Sequence, residues 1–247
     1  MIYINKPLEI PQKLIEYEQL LDNALQEYGK FDNIPEELRN IFSRGYRHDD
    51  VKNSLFNCNH HKCAYCETKP YGGYLEVEHF LPKSLYPELT LKWDNLLPSC
   101  EECNKNKSTH DTGLEPIINP CQIDPEPYFN YEFLSIYPSD YAPNSEIAER
   151  TIQVCNLNRP RLVKARMEIL EALTNYERVI KDYVQVLNES DTERKRQIRL
   201  RKLIESIEII EKHTEETELY SGLCRTFLRK SIYCNAAKEL VQDIQTI

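Results

Sequence analysis

Glycine is scarce in this sequence, with six residues in 247. That scarcity disfavours glycine-rich phosphate loops and a turn-dense all-β sandwich, both of which lean on glycine's freedom at positive φ. No uninterrupted apolar run approaches the roughly 20 residues a membrane span needs, so no membrane partner is expected. Met1–Pro11 has neither a basic start nor a long apolar stretch, so no export signal is read and a cytoplasmic chain is expected. Internal repeats and low-complexity tracts are also missing. With 40% hydrophobic residues, collagen-like and disordered classes are excluded.

Basic residues are outnumbered as well, 31 against 40 acidic, for a formal charge of −9. A strongly acidic chain ordinarily argues against a nucleic-acid partner. Its distribution removes the objection. Residues 1–50 carry −4 and residues 111–150 carry −7, whereas 51–110 are neutral and 151–247 carry +2.

Cysteine is abundant, at nine residues, and an odd number without an export signal points to metal or free thiols rather than disulfides. Cys63-x-x-Cys66 and Cys100-x-x-Cys103 form two pairs separated by 33 residues. Two such turns can complete a tetrahedral sulfur cage, so structural Zn2+ is expected, closed and without chemistry of its own. Redox chemistry is the rival reading of a single pair. Cys58, His60 or His61 could substitute for one of the four ligands. Cys121, Cys155, Cys224 and Cys234 read as buried thiols.

Periodicity places helices over Pro11–Tyr28 and Pro35–Phe42, and a third capped by Asp49–Asp50 that leads to Cys58. Residues 111–144 hold six of the fourteen prolines and no helical period, and read as irregular. Beyond them three stripes stand out: Val163, Met167, Leu170, Leu173, Ile180 and Leu187; Leu200, Leu203, Ile207 and Ile210; and Leu223, Phe227, Leu228 and Ile232. Core packing between helices explains them.

The insert between the cysteine pairs carries the chemistry. Tyr74 to Phe80 alternates as a strand, Leu96–Leu97 can return, and Cys103 onward suits a helix, giving a ββα unit pinned by zinc. Glu78 and His79 could serve as a hard-metal ligand and a general base, although adjacent strand residues face opposite sides unless the strand bends. Asn104 can bring an amide oxygen to the same ion, and Lys107, one turn on, can meet a phosphate. A divalent ion, a base and a cation make the set that phosphodiester hydrolysis needs. Singly, each has a plainer reading as surface charge, cap or packing residue.

This arrangement resembles the HNH (ββα-metal) endonuclease family over residues 58–110. The resemblance implies that His79 activates water, Glu78 and Asn104 hold Mg2+ or Mn2+, and Asn95 holds the loop rather than the metal. Two departures stand out: glutamate replaces the commoner aspartate before His79, and Asn104 replaces the third histidine, which argues for Mg2+. Beyond the motif, Ile2–Pro7, Ile118–Phe129 and Arg150–Arg161 look like the PtuB family, the HNH subunits of the Septu anti-phage defence system, with its retron-associated relatives. That resemblance implies an ABC/SMC-type ATPase partner, PtuA.

The expected class is α+β and predominantly α. It comprises an N-terminal helical region (1–57), the nuclease core with its four-cysteine zinc site (58–112), a Pro-rich acidic connector (113–158) and a C-terminal helical region (159–247) suited to docking or dimerisation. A DNA-cleaving endonuclease is the leading reading. An RNA-cleaving effector and a zinc-organised binding module without catalysis are the alternatives. The stretch Arg194–Lys202 has six cations in nine residues and reads as a phosphate grip, a solvated helix face or a docking surface.

Overall fold

A computed structural model describes residues 1–70, 75–132 and 134–245. The chain divides into two compact units: residues 1–129 with 137–157, and residues 130–136 with 158–247.

The first unit opens with three helices: α1 (Gln12–Tyr28), α2 (Glu36–Gly45) and α3 (Asp49–Asn57). Helix α1 stops at Gly29, whose φ of 79° suits glycine alone. Helix α2 runs three residues past the expected Phe42 and ends on Gly45. A Cβ on Gly45 would lie 2.7 Å from Leu91 Cδ2 and 2.8 Å from Tyr17 Cβ. Glycine therefore lets α2 close onto α1 and delivers Tyr46 and Arg47 from a fixed point. The cap of α3 is His48, whose Nδ1 accepts from Asp50 N; the two aspartates expected as caps sit instead in the first turn, where the helix dipole favours them.

Next come β1 (Leu75–His79), β2 (Leu96–Cys100) and α4 (Glu101–Lys107). The strands pair antiparallel, with Leu75 opposite Cys100 and His79 opposite Leu96. Tyr74, expected to start the strand, lies outside the described residues. Helix α4 begins two residues before Cys103, with Glu101 and Glu102 in its first turn. Leu14, Leu21, Phe42, Val51, Leu55, Trp93 and Leu96 form one core. The three helices and the hairpin thus share their apolar faces.

The acidic segment is less irregular than expected. It holds a two-stranded sheet of β3 (Phe129–Glu132) and β4 (Ser135–Pro138). Strands of four residues beside prolines offer too little alternation to be read from sequence. Helix α5 (Ser145–Val154) comes after them, capped by Asn144 accepting from Ile147 N.

The second unit is helical: α6 (Pro160–Asn188), α7 (Glu193–Lys212), α8 (Ser221–Lys230) and α9 (Ile232–Gln245). Leu173, Ile180 and Leu187 pack with Leu203, Ile207, Ile210, Cys224 and Leu228. Two stripe residues are displaced. Met167 is exposed because Arg166 takes the inward position, donating to Leu134 O and Asn158 Oδ1. Ile232 is 79% exposed because α8 ends at Lys230, so the helical period does not continue across Ser231. No described helix is long and apolar enough to cross a membrane.

Replacing Gly45 with alanine forces a Cβ into rigid neighbours. Gly45→Ala is expected to lower the unfolding free energy by about 1–3 kcal/mol, read as a reduced Tm. An unchanged Tm would refute the close-approach account.

Candidate active site

The four thiols converge as expected. The sulfurs of Cys63, Cys66, Cys100 and Cys103 all lie within 4.8 Å of one another, and Cys66 Sγ is 3.7 Å from Cys100 Sγ. A tetrahedral site with Zn–S bonds of about 2.3 Å needs sulfur separations of about 3.8 Å, so this set fits Zn2+. The four thiols bond one another, and those bonds hold Cys66 and Cys100 below the ordinary thiol range while burial lifts Cys63 and the same bonds lift Cys103 above it. Cys58, His60 and His61 stand outside the cluster: Cys58 Sγ bonds Leu55 O instead. The backbone ties the first pair to β2 through Ala64 N donating to Pro98 O at 2.7 Å.

A cleft of about 510 Å³ runs along β1, from Leu75 to His79. Its walls include Tyr46, Arg47, Glu76, Glu78, His79, Lys83 and Asn104. Glu78 and His79 both line it, as do Leu75, Glu76 and Val77, and Phe80 N donating to Asn95 O carries the strand pairing one residue past His79.

His79 is 7% exposed and its Nε2 lies 3.0 Å from Thr90 O. A carbonyl only accepts, so Nε2 carries the proton and Nδ1 keeps its lone pair. Burial pushes the imidazole down to about 4, with the cations Lys83, Lys107 and Arg47 acting the same way against the Thr90 bond. The ring is therefore neutral at neutral pH. Tyr46 meets it edge-on, with ring centroids 4.7 Å apart.

Glu78 is 3% exposed, and burial pushes its carboxyl up to about 7 against the opposing pull of Lys107. Lys107 Nζ lies 2.6 Å from Glu78 Oε1, an ion pair by distance, while its aligned hydrogen bond goes to His79 O at 2.9 Å. Glu78 Oε1 is left buried without an aligned donor. Asn104 lines the same cleft, so a carboxylate and an amide oxygen stand on one wall, the donor types that Mg2+ or Mn2+ takes while keeping several waters.

Lys107 does not sit where a phosphate would meet it. It is 1% exposed and spends its charge on Glu78 and the His79 carbonyl. Asn95 accepts from Leu81 N at 2.7 Å and donates to Leu81 O and Leu89 O, so it stitches the loop between the strands. Asn104 Nδ2 donates to Glu76 Oε2 at 2.6 Å. Glu76 is the acidic wall residue that sequence reasoning missed. Its signal was the Glu-x-Glu spacing, which puts two carboxylates on one strand face. Tyr46, Arg47 and Lys83 were missed too, since two of them come from the end of α2, far from the motif in sequence.

The basic stretch is on α7 of the second unit. There Lys195 pairs with Asp191 and Arg201 with Glu205, while Arg199 turns inward to Val186 O and Ser190 Oγ.

Residues 63–110 match the family model described as HNH endonuclease, so the chain carries an HNH endonuclease domain. Its wider sequence is similar to Septu protein PtuB of Bacillus thuringiensis, 36% identical over 172 residues, covering 68% of this chain and 60% of that protein. It also resembles Septu protein PtuA of Bacillus mycoides, at 26% identity over 191 residues, 64% of this chain and 24% of that one. A retron Vc95 putative HNH endonuclease of Vibrio cholerae is 26% identical over 139 residues, 50% of this chain and 64% of its own length. The chain thus spans less than two thirds of the length of these relatives.

The cage predicts one zinc per chain by elemental analysis, lost in Cys63→Ser or Cys103→Ser together with soluble yield; a zinc-free native protein would rule it out. Lys107→Ala leaves Glu78 buried and unpaired, and is expected to cost about 3–5 kcal/mol in denaturant unfolding. A loss below about 1 kcal/mol would mean the pair is not held as described.

Proposed function

We propose that the chain is a metal-dependent endonuclease that hydrolyses phosphodiester bonds, with DNA as its substrate. What carries this reading is one juxtaposition: a buried neutral imidazole, fixed through Nε2 on Thr90 O, beside a buried carboxylate and an amide in a single cleft. In this reading His79 Nδ1 takes a proton from a water molecule, and the oxygen of that water forms a bond to phosphorus. The bond from phosphorus to the departing ester oxygen breaks, and that oxygen leaves as a hydroxyl after taking a proton from solvent. Glu78 and Asn104 would hold Mg2+ or Mn2+, which supplies charge to offset the phosphoryl oxygens. Asn95 keeps the loop over the cleft in register, and Lys107 fixes the Glu78 carboxylate.

The Septu relatives support a second layer: this nuclease is the effector of an anti-phage defence complex, working beside an ABC/SMC-type ATPase. Similarity to a retron HNH protein points to the same setting.

The test incubates the full chain, alone and with its genomic neighbour, with duplex DNA and with RNA, in Mg2+ or in EDTA. Cleavage of DNA in Mg2+ that EDTA stops is expected, and RNA cleavage in its place would overturn the choice of substrate. His79→Ala should lose at least about 10²-fold in rate while keeping its zinc and its fold, at a lowered Tm because the Thr90 carbonyl loses its donor. Undiminished cleavage in that variant would remove His79 as the base.

A further inference from the structure

With Lys107 buried, the cleft has two carboxylates on its wall, Glu76 and Glu78, and a phosphodiester entering it needs cations from elsewhere. Three cationic side chains line the cleft: Arg47, Lys52 and Lys83. Lys52 Nζ lies 3.5 Å from Asp49 Oδ1, so its charge is partly spent. Arg47 and Lys83 are exposed, and among the described residues neither has a carboxylate partner. Both are organised by one ring. Arg47 Cζ lies 5.4 Å and Lys83 Nζ 5.1 Å from the Tyr46 centroid, and Lys83 donates to the Tyr46 hydroxyl at 2.8 Å. Tyr46 itself is 4% exposed and packs edge-on against His79. The two cations are therefore placed relative to the base rather than left to wander over the surface.

We propose that Arg47 and Lys83 form a phosphate clamp, gripping the non-bridging oxygens of the phosphodiester presented to His79, with Tyr46 as the residue that positions both. Arginine offers a planar fork that can meet two oxygens, and lysine a point charge for one. The clamp rests on the nuclease reading above for its purpose, but not for its measurement.

Binding and cleavage separate the two. In a His79→Ala background, a short fluorescent duplex DNA and an RNA of equal length are titrated at several salt concentrations. Arg47→Gln and Lys83→Gln are each expected to weaken binding and to lower the slope of log affinity against log salt by about 0.9 for duplex DNA, one phosphate contact. Lys13→Gln, an equal charge change on α1, should leave the slope unaltered. With His79 restored, each clamp variant should lose about a hundredfold in kcat/KM at unchanged zinc content. Unaltered slopes and affinities in both variants would overturn the clamp, as would an unsubstituted chain that holds neither nucleic acid. A chain that binds with the expected slopes yet never cleaves would refute the nuclease reading and leave the clamp standing. The probe that shows the slope change identifies the phosphate's source as DNA or RNA.

Discussion

A lysine ammonium with 1% exposure needs partners inside the protein, and in this chain Lys107 has the Glu78 carboxyl and the carbonyl of His79. Desolvating such a charge costs several kcal/mol, which only close partners return. The pair therefore works as a bolt between α4 and β1. Because Lys107 is on the same short helix that begins with the second cysteine pair, the bolt also sets where Asn104 projects. A carboxylate held this way cannot swing to meet solvent, whereas Glu76, one strand repeat away, stays exposed and takes the Asn104 amide. One buried cation thus sorts two similar acids into a fixed one and an accessible one.

The hairpin separates support from chemistry. Cys100 pairs with Leu75 at one end and Leu96 with His79 at the other. Four residue steps along β1 amount to about 13 Å. The cysteine cage can therefore pin one end of the hairpin at a distance from His79, while Asn104, next to Cys103, links the cage to the cleft. The first unit's core does the corresponding work on the remaining side. Trp93 and Leu96 are shared between the helices and the loop that Asn95 ties down, so the imidazole's carbonyl partner at Thr90 is held by packing as well as by hydrogen bonds.

Most of the centre was legible because its parts are close in sequence. Cysteine pairs, an acidic residue before histidine and an asparagine after the last thiol are patterns that survive without coordinates. Helix existence was legible too, since the apolar periods of α1, α6 and α7 are long. What failed to show was direction. Lys107 is one turn past Asn104, and spacing alone does not say whether a side chain at the end of a seven-residue helix points outward or under the strand. Met167 and Ile232 failed for a related reason: an arginine with internal acceptors and a one-residue helix break each outweigh hydrophobic spacing. Tyr46 and Arg47 were invisible because their place beside His79 depends on how closely α2 approaches α1, a matter of tertiary packing.

The negative total also takes on a different meaning beside the assembled site. Fields of exposed charges fade over about 8 Å at physiological salt, so a polyanion in the cleft responds to the charges that line it far more than to the sum over 247 residues. There the balance is local: two carboxylates, one of them spent on Lys107, share the cleft with Lys52, partly spent on Asp49, and with Arg47 and Lys83 on the Tyr46 ring. Surfaces with an acid excess repel nucleic acid wherever such a pair is missing. A cationic pair in an otherwise acidic neighbourhood accordingly favours phosphate there over the acid-rich surfaces of residues 1–50 and 111–150. If the proposed clamp is the site of contact, the same −9 that weakens general adhesion leaves the charges beside His79 to decide it.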